Sequence, residues 1–207
     1  MRDLEAAFAE GRLAVAQAVA VDNNSGSHFE CQDQMEQGAD GGERAASGGW
    51  LGRALRLGAG GAVSPLAAVA VGKALPESLR GAPAASVLES LEDMTLRLGE
   101  KERPAVTGAL ERLYGADVSL LGERGGDTLE LFRRVAALQG LAAEGPANDA
   151  EYPDEEFGRG MRLIASLIRA EVGLRVATID LGGWDTRFFQ GGASGLQAGR
   201  IRALTRV

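Results

Sequence analysis

Two carboxylates, Asp180 and Asp185, stand on either side of Gly182-Gly183 and Trp184 at the end of an apolar run from Leu174 to Leu181. Acidic oxygens there make a candidate site, and a metal ion in this chain, zinc or a similar divalent one, would need carboxylates. The same residue types also make an ordinary turn with a capping aspartate, so the pattern alone leaves both open. A second group of polar residues, Asp22, Ser25, Ser27 and His28, follows the apolar run from Arg12 to Val21. His28 can ligate a metal or contact an anionic substrate, or it can simply pack and hydrogen-bond at a helix start. Lys73, after a third apolar run ending at Val71, can face an anion or remain a solvated lysine.

These residues need elements that bring them to one edge. The 174–181 run is mostly apolar and β-branched without alternation, which suits a strand covered on both faces of a parallel sheet. In such sheets ligands sit beyond the carboxyl ends of the strands, where all the groups named above are expected to fall. Residues 12–21 and 65–71 read as two further strands. A short helix over 2–10, capped by Gly11, precedes the first of them, and that order predicts an earlier strand upstream. Ser27 and Glu30 form a capping box that opens a helix, and Trp50 opens another with its ring expected in the core. From Ser86 to about Leu141 the spacing of Leu88, Leu91, Met94, Val106, Leu110 and Leu113, then of Leu129, Phe132 and Val135, predicts a helical segment beside the sheet. An acidic Pro/Gly loop over 144–156 marks a boundary. Met161, Ile164, Ile168 and Val172 then trace a helical stripe closed by Gly173, and 196–204 reads as a last helix.

The chain therefore reads as a single α/β domain over 1–207 of mainly parallel strands flanked by helices, expected to be incomplete at both ends. Its composition is 45% hydrophobic, enough for a core, with a net charge of -7 that argues against nucleic acid or an anionic membrane as partner. One cysteine, Cys31, and one histidine exclude an internal disulfide and a self-contained Cys/His zinc cluster. No apolar span of membrane length and no export signal is read in the chain, so no membrane insertion is expected.

Ser27-His28-Phe29, Gln32-Asp33, Gly49-Trp50-Leu51-Gly52-Arg53, Val69-Ala70-Val71, Leu75-Pro76, Ser78-Leu79-Arg80-Gly81 and Asp180-Leu-Gly-Gly-Trp-Asp-Thr186 occur in this order. In them the chain resembles bacterial proteins of the uncharacterised family numbered 1501 among domains of unknown function. The resemblance covers nearly all of the chain, with 86–156 matching only in character. It implies an alkaline-phosphatase-like core, a metal-dependent phosphatase or sulfatase type of hydrolysis, and a twin-arginine leader that would export the full gene product to the periplasm. Without such a leader the protein would be cytoplasmic. Where the family motif continues Asp-Thr-His, this chain has Asp185-Thr186-Arg187, so a guanidinium that cannot ligate a metal replaces an imidazole that can. The family also begins with a strand and Gly-rich turn, and ends with an Asp-His segment, neither of which occurs here. The expectation is accordingly an impaired or inactive hydrolase-like protein, or a non-catalytic anion-binding or protein-interaction module.

Overall fold

The computed structural model describes residues 5–38, 48–58, 63–90, 98–99, 101–142, 152–186 and 188–205. Among them, three strands form an all-parallel sheet: β1 (Ala68–Val71), β2 (Ser86–Leu88) and β3 (Val176–Ile179), in the order β2-β1-β3. Val69 stands opposite Ser86 on one side and Ala177 on the other. The helices are α1 (Glu5–Ala9), α2 (His28–Gln37), α3 (Trp50–Leu57), α4 (Arg103–Gly115), α5 (Leu120–Ala142), α6 (Glu156–Arg169) and α7 (Leu196–Thr205), with a 3-10 turn at Glu77–Leu79.

β1 explains the layering. Successive side chains of a strand point to opposite faces, and this central strand is buried on both. Val69 joins Leu66, Leu88, Leu131, Val135, Leu163 and Leu167 in a core beneath α5 and α6. Ala68 and Ala70 face the other way, onto Leu55 of α3 and Leu79 of the 3-10 turn. The alanines leave room there for close packing. Gly49 and Gly52 of α3 exploit it: a Cβ at Gly49 would lie 2.0 Å from the Glu77 carbonyl oxygen, and one at Gly52 would lie 2.4 Å from that of Arg80. The Gly49 N–H donates to the Arg80 carbonyl at 3.0 Å, and Arg53 Nη1 donates to the Gly48 carbonyl at 2.7 Å. The two glycines of Gly49-Trp-Leu-Gly-Arg53 thus seat α3 against the 3-10 turn and the residue after it, while Arg53 holds the segment just before its own helix.

Several expectations change. Residues 12–21 form no strand: all but Leu13 and Val21 are exposed, and Ala18 takes a positive φ of 54°. A strand needs a ladder partner, and β1 gives its two edges to β2 and β3; an alanine-rich run also has little apolar area with which to compete. Residues 86–88, expected to open the helical segment, instead form β2, because Val87 and Leu88 pair with Ala70 and Val71. Residues 91–97, which carry Leu91 and Met94 of the expected helical stripe, lie outside the described set. Trp50, expected in the core, is 49% exposed at the first position of α3. α6 ends at Arg169 with Ala170 as its cap, and Gly173, at a φ of +83°, serves the turn into β3 instead. The α/β class, the parallel sheet, the helices at 28–37 and 50–57, and strands within 65–71 and 174–181 accord with the sequence.

Candidate functional site

Three strands running in parallel deliver their following residues to one edge: Gly72 and Lys73 after β1, Glu89 after β2, Asp180 after β3. A short turn over 170–175 joins α6 to β3, so α6 runs opposite to the strands and its first turn, Glu156 to Arg159, meets their carboxyl ends. Gly160 makes that approach close, since a Cβ there would lie 2.4 Å from Ile179 Cδ1 and 2.9 Å from Val71 Cγ1. The space left between them is a cavity of about 290 Å³ lined by Lys73, Glu89, Glu156, Phe157, Arg159 and Asp180 beside Val71, Gly72 and Ile179. The start of α6 adds the positive end of a helix dipole at this edge.

A second cavity of about 570 Å³ shares Val71, Gly72, Lys73, Glu156 and Asp180 with the first and extends to Gln32, Asp33 and Glu36 of α2. Its far wall is held by hydrogen bonds: the Ser78 N–H donates to Glu36 Oε2 at 3.0 Å, and Gln37 Nε2 donates to Glu77 Oε1 at 3.3 Å. Glu77 also pairs with Arg80 at 3.0 Å. Glu36 and Glu77 are therefore occupied in joining α2 to the 3-10 turn. The side chains of Lys73, Glu89, Glu156 and Asp180 make no ion pair with another described residue.

Of the residues singled out in the sequence, Asp180 and Lys73 line both cavities. Asp185 is exposed and lines neither. His28 is exposed at the start of α2, one helical turn before Gln32 on the same face, and also lines neither cavity. Arg187 lies outside the described residues. The loop before His28 is organised by its own turn: Asn23 Oδ1 accepts from the Ser25 N–H at 2.8 Å, Ser25 Oγ from the Ser27 N–H at 3.2 Å, and Ser27 Oγ from the Glu30 N–H at 3.3 Å. The last of these is the N-cap half of the expected capping box. After β3, Trp184 Nε1 donates to the Leu181 carbonyl at 2.6 Å across Gly183, whose φ is +83°; the indole braces this turn.

Sequence reasoning missed Glu89, Glu156 and Arg159. Glu156 falls in the expected boundary loop over 144–156, and neither Glu89 nor Arg159 is singled out by the sequence pattern. The available signal was the close spacing of Gly158 and Gly160 at the start of α6, since small residues there mark a helix seated tightly on a sheet.

Among the described residues, no three His, Cys, Asp or Glu side chains are gathered so that they could hold a metal ion. Among the described residues, two carboxyls are held below their ordinary range, Asp117 in the turn between α4 and α5 and Glu130 on α5. The hydrogen bond to Ser119 lowers Asp117, and the hydrogen bond from Arg134 lowers Glu130. No helix among the described residues is long and apolar enough to cross a membrane. No family model matches this chain, and neither a curated protein nor a solved structure is found to match it.

Proposed function

We propose that this chain is a ligand-binding protein of the phosphatase/sulfatase-like type it resembles, holding a small anionic group at the carboxyl edge of its sheet without hydrolysing it. The observation that carries this reading is the position of Lys73, which follows β1 into the space common to both cavities and has no ion-pair partner among the described residues. Arg159 adds a second cation in the smaller cavity. Hydrolysis is left out for two reasons: the family's imidazole is replaced by Arg187, and Asp185 stands outside the cavities, so that Asp180 has no carboxylate partner of its own motif there.

Calorimetric titration with inorganic phosphate and with sulfate tests the proposal. Saturable binding is expected, weakened about tenfold or more by Lys73→Ala, the scale on which a charge-assisted contact contributes. Absence of binding by either anion, or binding unchanged in Lys73→Ala, would overturn it.

A further inference from the structure

We infer that residues 12–21 form a strap that docks on the outer edge of β3 as a fourth parallel strand and closes the carboxyl edge of the sheet. β3 pairs with β1 on one side, and among the described residues no backbone hydrogen bond is made at its other edge. Residues 14–20 have the same lack, since their backbone groups bond to no other described backbone. Ala18-Val19-Ala20-Val21 repeats β1, Ala68-Val69-Ala70-Val71, residue for residue. In β1 the valine at 69 enters the core beneath α5 and α6, and the alanines face α3. A strap in the register that β1 keeps with β3, Ala18 level with Val176 and Val21 with Ile179, divides its residues in the same way. Docking draws Val19, 69% exposed, against the half-buried β3. It also returns Ala18 from a φ of 54°, which a non-glycine residue adopts at a cost, to extended backbone.

Handedness decides between the two open edges of the sheet, those of β2 and β3. The chain passes from β1 to β2 over the face of Ala68 and Ala70, through Leu79 of the 3-10 turn, and returns from β2 to β3 through α5 and α6 over the opposite face. Both crossovers therefore have one hand, which in parallel sheets is right-handed almost without exception. The strap leads to β1 through α2 and α3, and α3 lies on the face of Ala68 and Ala70. To keep that hand it must start on the side of β3. There Asp22 stands level with Asp180, and the loop 22–27 leads over the edge into α2, whose Gln32 and Asp33 already line a cavity with Thr178 and Asp180.

Disulfide trapping on the full chain tests this, in a Cys31→Ser background so that only introduced thiols react. Ala20→Cys with Thr178→Cys puts two cysteines on one rung of the docked strap. Val19→Cys with Ala177→Cys does so on the adjacent rung and the opposite face, and serves where the first pair disturbs folding. Ala20→Cys with Val87→Cys, at the open edge of β2, measures chance encounter. Under mild oxidation the β3 pairs are expected to close faster than the β2 pair by about tenfold or more, because thiols on one rung meet disulfide geometry at a high effective concentration. Closure of either β3 pair at that rate supports the strap, whatever ligand the edge receives. Closure of neither β3 pair faster than the β2 pair would overturn it.

Discussion

Replacing Gly49 with alanine tests whether the α3 contact holds one face of the sheet. The Gly49 backbone, at φ -71° and ψ 162°, is one that alanine adopts freely, so any effect comes from the space around it. There is none: the added Cβ would lie 2.0 Å from the Glu77 oxygen, 2.2 Å from the Ser78 oxygen and 2.3 Å from the Ser78 carbon. These are backbone atoms, so no rotamer change relieves them, and α3 must retreat from the 3-10 turn by well over an ångström. Overpacking of this kind costs about 1–3 kcal/mol, and the retreat also breaks the 3.0 Å hydrogen bond from Gly49 to Arg80, a loss of about 1 kcal/mol. The expected destabilisation is about 3 kcal/mol, or a fall in Tm of about 6–12 °C for a chain of this size. Urea unfolding followed by circular dichroism measures it. The matched control is Gly126→Ala in α5, where the new methyl meets nothing within 4 Å and the helix should gain about 0.5–1 kcal/mol. If Gly49→Ala lost less than about 0.5 kcal/mol relative to wild type, within the range of an unremarkable surface change, the tight seating of α3 would be refuted.

Leu167, wholly buried beneath the sheet, should cost about 2–5 kcal/mol on truncation to alanine, measured by the same unfolding curves. Glu36→Ala removes the acceptor of the Ser78 N–H; with Ser78 itself buried, it should destabilise by about 1–3 kcal/mol and speed amide exchange at Ser78. The Glu130 carboxyl is lowered in the folded chain, chiefly by the Arg134 hydrogen bond and then by the Arg133 and Arg134 charges. Its contribution is therefore fully present above the ordinary glutamate range and disappears as pH falls through the lowered folded value. Glu130→Gln should flatten that acid limb in a pH series of unfolding curves, and an unaltered slope would count against the ion pairs of α5.

The sequence and the structure agree where burial dictates the pattern. Residues 65–71 and 174–181 were legible as strands, of which 68–71 and 176–179 pair in parallel; the cover on both faces expected of 174–181 belongs to β1, while β3 lies half-buried at the edge of the sheet. The Ser27 cap was legible because it is set within a few residues; α6 was legible as a helix, but the face it buries is that of Leu163 and Leu167, while Ile168 of the expected stripe is 61% exposed. Residues 12–21 show the limit of such local signals: their strand-like composition does not say which edge would receive them, and β1 already has two neighbours. β2 failed for the converse reason, since Leu88 stands at helical spacing from Leu91 while its burial comes from a strand distant in the chain. At the site, Asp180 and Lys73 could be found because each follows a strand. Glu156 and Arg159 could not, because only the return of α6 into β3 brings a helix start to the same edge. Asp185 and His28 lie near it in sequence, and the turns around Trp184 and Ser27 set their places instead.

The central claim is that the carboxyl edge of the sheet is where this chain receives its ligand. The most direct measurement is an amide NMR titration with inorganic phosphate and with sulfate. Saturable shifts should concentrate at Gly72, Lys73, Glu89, Phe157 and Asp180, the chain around the shared cavities. Shifts confined to the larger space between α4 and α5, around Tyr114 and Asp117, or no saturable shift at all, would contradict it.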